Sequence, residues 1–187
     1  MITFITGVMI LGMVSGLASG GEQTYPGENL EKALDIVRRI EEAATEGGTE
    51  GGRKVKVTED VLNAYLAYQA ALEGGPLKSL QVKIFPQNMI EGKLFIDLSG
   101  SNPPKGLRPE MTFYFRSKIE IRDGKGRLDI KELFLEKHQV DPVLLDLALL
   151  FMAKIQNTET TGVADWYELP HGITGIKTHK GWVEIYY

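Results

Sequence analysis

The sequence predicts an α+β fold, a strongly curved antiparallel sheet wrapped around a buried apolar helix, with additional helices ahead of it. Three observations predict it. Met111 to Leu135 alternates as two strands around Asp123-Gly124-Lys125-Gly126. Val143 to Ile155 is apolar nearly all round, with only Asp146 and Lys154 charged. Two shorter stretches upstream carry apolar residues at helical spacing. Runs of helix and strand that do not alternate strictly point to α+β rather than to a parallel sheet.

Taken in chain order, Met1 to Gly20 (MITFITGVMILGMVSGLASG) has no charged side chain and ends in Ser15, Gly16, Ala18, Ser19 and Gly20. An apolar stretch followed by small residues is the layout of a secretory signal peptide, and Gly16-Leu17-Ala18 suits cleavage after Ala18. The absence of Lys and Arg before the apolar stretch leaves a retained N-terminal anchor and a buried helix as the other readings. A span needs about 20 mainly apolar residues, more than stand before the small ones. The division is therefore residues 1–20 as signal peptide or anchor, 21–52 as an N-terminal helix and Gly-rich linker, and 53–187 as one α+β domain. The expected location is outside the cytoplasm, periplasmic or attached to the cell envelope, and close to a membrane.

Glu28 to Glu46 reads as a helix, with Leu30, Ala33, Leu34, Val37, Ile40 and Ala44 on one face. Gly47-Gly48 ends it. The glycines up to Gly52 form a joint rather than a phosphate loop, because Arg53-Lys54-Val55 follows where Lys-Ser/Thr would be needed. Val55 and Val57 alternate with lysines as a short strand. Thr58 is placed to cap a second helix, with Glu59 and Asp60 against its dipole and Val61, Leu62, Tyr65, Leu66, Ala70 and Leu72 on its apolar side. After Gly74-Gly75-Pro76 the period becomes two: Leu80, Val82 and Ile84, then Leu94, Ile96 and Leu98.

In the hairpin, Met111, Phe113, Phe115, Ser117, Ile119 and Ile121 share the dry face, and Leu128 and Ile130 return on it. Asp141-Pro142 opens the last helix as cap and first-turn proline. A final strand pair surrounds Lys180-Gly181.

Composition excludes several chemistries. The 21 Lys+Arg against 25 Asp+Glu give a net charge of −4 without a basic run, so nucleic acid is not an expected partner. With no cysteine there is no disulfide, thiol catalyst, Cys-based zinc site or lipoprotein anchor. His138, His171 and His179 form no metal-spaced pair, and there is no Gly-x-Ser-x-Gly elbow. Asp97, Asp129, Glu132 and Glu136 fall at solvent-side strand positions. The expectation is a non-enzymatic protein with no cofactor, metal or catalytic residue; His171 is the one histidine to inspect beside a carboxylate.

The positive signal is apolar. Phe113, Phe115, Ile119, Ile121, Leu128, Ile130, Leu144, Leu147, Leu150 and Phe151 are the candidate lining of a groove for a lipid or acyl chain, edged by Tyr65, Tyr68, Trp166, Trp182, Tyr186 and Tyr187. A filled core needs the same inward residues, and in that case the expected partner is another envelope protein bound through the sheet face or an edge strand.

Several short motifs carry a resemblance. They are Val57-Thr58-Glu59-Asp60 with Leu62-Asn63-Ala64-Tyr65-Leu66, Asp123 to Leu128, the helix after Asp141-Pro142, and Leu169-Pro170-His171-Gly172-Ile173 before the last strands. In this order, over roughly residues 55–187, the chain resembles the YpmS-like and LmeA-like bacterial envelope proteins of the tubular lipid-binding (TULIP-like) type. The resemblance implies a long helix cradled by a curved sheet with an interior that accommodates lipid, and brings no catalytic residues.

Overall fold

A computed structural model describes residues 27–45, 52–158, 162–170 and 173–187. The expected signal segment, most of the Gly-rich joint, and His171 with Gly172 lie outside the described residues.

Two sheets and three helices follow in the order α1 (Gly27–Thr45), β1 (Lys54–Thr58), α2 (Glu59–Glu73), β2 (Leu77–Phe85), β3 (Met89–Asp97), β4 (Glu110–Arg122), β5 (Lys125–Leu135), β6 (His138–Gln139), α3 (Pro142–Ile155), β7 (Tyr167–Glu168), β8 (Gly175–His179) and β9 (Trp182–Tyr186). The larger sheet is antiparallel, ordered β2-β3-β4-β5-β6 with β7 also on β5, and curves into a half-barrel. The α+β class and curved sheet expected from the sequence are the fold. The smaller sheet, β1-β9-β8, joins the first strand to the last two.

Local chemistry accounts for the elements. Thr58 caps α2 through the Val61 N–H (3.5 Å), and Asp141 caps α3 through the Val143 N–H (2.9 Å), with Pro142 in the first turn. Two hairpins of the large sheet turn on paired left-handed residues, Gln87-Asn88 and Asp123-Gly124, the primed geometry that matches strand twist. β5 carries a bulge: Arg116 faces Glu132 and Ser117 faces Ile130, leaving Lys131 without a partner. The extra residue inverts the parity of the strand. Leu128 therefore faces inward before the bulge, and Leu133 and Leu135 after it.

The free edge of β2 is closed by side chains of α2. The Asn63 amide accepts from the Val82 N–H (2.8 Å) and donates to the Val82 carbonyl (2.9 Å), taking the place of a neighbouring strand. Glu59 Oε2 accepts from the Ile84 N–H (2.8 Å). The two sheets are tied at Asn88, whose side-chain carbonyl accepts from the Thr178 N–H (3.1 Å) while its backbone carbonyl accepts from the Ile119 N–H (2.7 Å).

One expectation for α2 is corrected. Leu72 is exposed rather than on the packed side, and in that last turn Ala70 and Glu73 are the residues turned towards the protein.

Replacing Asn63 by Ala strands two backbone groups of Val82. The expected loss is about 1–3 kcal/mol, read as a lower urea midpoint, together with concentration-dependent self-association at the opened edge. Asn63→Asp, which keeps the acceptor and loses the donor, should fall between. An unchanged midpoint in Asn63→Ala contradicts this role.

Candidate functional site

The inward residues of β4 and β5 lie together, and most of them are buried. Phe113 and Leu128 have 0% exposure, and Phe115 and Ile119 are buried. Ile121, Ile130, Leu144 and Phe151 are half-buried against the same core. The Phe115 ring lies over Gly92, its cross-strand neighbour on β3, so tightly that a Cβ there would overlap it. Ser117 is wholly buried among these side chains with its hydroxyl unpartnered.

The placement of Leu147 and Leu150 differs from the groove lining expected. The inward arc of α3 is Leu145, Ala148, Leu149 and Met152. At 100° per residue Leu147 and Leu150 fall on the opposite side. They are 39% and 54% exposed, Val143 is 67% exposed and Ile155 42%. The helix is thus buried along one face and bare along the other, not covered on most sides. Val143, Leu147 and Leu150 run up this outer face at steps of four and three residues, ending at Lys154. Asp146 takes no part in wetting it, since its carboxylate accepts from the Val163 N–H (2.7 Å) in the loop after the helix.

The titratable groups are spread out. Asp97 accepts from Ser99, Asp129 is paired with Lys131, Glu132 with Arg116 (4.0 Å) and Glu136 with Arg108 (3.1 Å). His138 is exposed in β6. His179 lies flat on Trp182 at 3.8 Å, with Lys56 on that ring at 4.6 Å, and its buried Nε2 has no hydrogen-bond partner. Among the described residues no three His, Asp or Glu side chains gather where they could hold a metal ion. None of the described helices is long and apolar enough to cross a membrane.

A feature missed in the sequence is a cleft of about 470 Å³ at the β4–β5 hairpin end, with Ile119 and Ile121 among its lining and Trp166 as a wall. Its polar members, Lys118, Glu120 and Arg122, alternate with those isoleucines and read in sequence as an ordinary wet strand face. No family model matches the chain, and no curated protein matches it.

Glu73, the last residue of α2, is half-buried, and burial pushes its carboxyl up to about 7. Below the ordinary carboxylate range both folded and unfolded chains hold the proton, and the group costs nothing. As pH rises towards 7 only the unfolded chain releases it, so stability falls through this window. Glu73→Gln should therefore stabilise the protein at pH 8 by on the order of 1 kcal/mol, after allowance for solvent screening, and have little effect at pH 4. Urea midpoints at the two pH values check this, and an equal gain at both contradicts it.

Proposed function

We propose that this is a non-enzymatic extracytoplasmic envelope protein that binds or shields a lipid or acyl chain, and that the contact surface is the outer face of α3. The observation that carries the reading is the exposure of Val143, Leu147 and Leu150 on a helix whose opposite face already completes the core. The burial of Phe113, Phe115 and Leu128 in the core supports a lipid contact on the outside of the helix, with Leu144 and Phe151 on its flank.

The area involved supports lipid over a permanent protein partner. Three such side chains, with Leu144 and Phe151 beside them, offer a few hundred Å² of apolar surface, the size of a functional patch. A stable protein interface takes about 800 Å² from each side. An assembly role has one feature of its own in support. β5 pairs with β7 at Lys125-Gly126 and with β6 at Phe134-Leu135, and among the described residues no strand pairs with its outer edge between them. That stretch carries the Lys131 bulge and the charges of Asp129, Lys131 and Glu132, devices that discourage strand addition. The lipid reading is therefore preferred.

The test is native mass spectrometry with lipid extraction on the full chain exported to a bacterial periplasm, followed by flotation with phosphatidylcholine vesicles. Wild-type protein should carry lipid or float. Leu147→Glu/Leu150→Glu changes two solvent-facing positions, so the fold should persist while retention falls about tenfold or more. A lipid-free mass with no flotation, or full retention by the folded double variant, ends the reading.

A further inference from the structure

The cleft at the β4–β5 hairpin end lies apart from the outer face of α3 and is assembled differently. β3 begins at Met89, opposite Lys118, whereas β4 continues to Arg122. The last four residues of β4 therefore have no strand on that side. The Ile119 N–H is satisfied by the Asn88 carbonyl. Backbone groups alternate along an antiparallel strand, so the Ile121 N–H points the same way, past the end of β3 and into the open side.

The charges around this opening do not cancel. Arg127 Nη2 and Nε stand 2.7 and 2.8 Å from Glu120 Oε2, and the guanidinium lies 4.8 Å over the Trp166 ring. Glu120 is thereby neutralised and Arg127 held in place. Asp129, which faces Lys118 across the ladder, is engaged by Lys131. Lys118 consequently has no ion pair among the described residues. Arg122 meets only its chain neighbour Asp123 (3.1 Å), both of them largely exposed, a pairing worth little in water. In a chain of net charge −4 this is a local surplus of cation beside a half-exposed indole.

We propose that this cleft binds a phosphate-class anion, with Lys118, Arg122 and the Ile121 N–H as its donors and Trp166 as the flat wall for the group that carries it. A compact ammonium, a planar guanidinium fork and a backbone N–H, approaching from different directions, suit an anion with several oxygens. The wide opening suits a headgroup or sugar phosphate held at the surface rather than an enclosed cofactor. The phosphate belongs either to an anionic phospholipid or to a soluble phosphorylated molecule, and the chemistry of recognition is shared.

The experiment uses the full chain. sn-Glycerol 3-phosphate is titrated by calorimetry, and flotation is compared between vesicles of phosphatidylcholine alone and of phosphatidylcholine mixed with phosphatidylglycerol. The expected result is binding of glycerol phosphate, preference for the phosphatidylglycerol vesicles, or both. Lys118→Ala/Arg122→Ala, at exposed positions, should weaken glycerol phosphate about tenfold and remove the preference while leaving phosphatidylcholine flotation unchanged. Lys105→Ala/Lys180→Ala, with the same change in charge elsewhere on the surface, should do neither. Binding in solution without a preference identifies a soluble ligand, and a preference without binding in solution identifies a headgroup. Neither response in the wild type, or responses that survive in the cleft variant or vanish equally in the charge-matched control, overturn the proposal. Loss of phosphatidylcholine flotation alone concerns the α3 face and not this site.

Discussion

An open, curved antiparallel sheet ends in two unpaired edges, and closing them fixes the position of nearly every other element here. On β2 the closure is made by side chains: Asn63 bonds both backbone groups of Val82, and Glu59 takes the Ile84 N–H. α2 must therefore lie along that edge. Its start is fixed in turn by the Thr58 cap and by the Glu59 N–H bonded to the Gly181 carbonyl at 2.9 Å. On β5 the closure is partial, with β7 at one end, β6 at the other, and α3 connecting them in sequence. The small sheet holds Arg53 and Tyr187 together, since they exchange both backbone bonds at 2.9 Å.

Much of this was legible because it is local. The alternation of Met111 to Ile121, the Asp123-Gly124 turn and the Thr58 and Asp141 caps each depend on residues close in the chain. Pairing of β1 with β9 depends on residues more than a hundred positions apart, and nothing in Lys54–Thr58 names its partner. The bulge at Lys131 was hidden for a different reason. Two adjacent charges, Lys131-Glu132, look like the end of a dry face, whereas the structure uses them to change parity so that Leu133 and Leu135 can face inward. Gln87-Asn88 was missed as a turn because only one of its residues commonly adopts positive φ.

The candidate site was legible in its inward half and not in its outward half. A strand states its faces by alternation, so Phe113, Phe115, Ile119 and Leu128 could be assigned. A helix that is apolar all round carries no such statement. Leu144, Leu147, Leu150 and Phe151 were equivalent in the sequence, and only the packing of Leu145, Ala148, Leu149 and Met152 decides which of them meet solvent. The cleft beside Trp166 was hidden in the opposite sense, because Lys118, Glu120 and Arg122 border an opening only because β3 begins no earlier than Met89.

The buried side chains of the sheet and the bare helix face bear on each other. Had the core been left open, the apolar character of α3 would be explained by lining it, and its outer residues would call for no separate account. With Phe113 and Leu128 buried, the fold asks only one face of α3 to be apolar. Polar residues at Val143, Leu147 and Leu150 would satisfy the helix equally well, and on an exposed face substitutions of this kind cost little stability. The chain nevertheless places aliphatic side chains there and keeps Asp146, the nearest carboxylate on the helix, bonded to the Val163 N–H. A surface that packing does not require to be apolar, and that is not wetted where it could be, is in keeping with the lipid contact proposed for it.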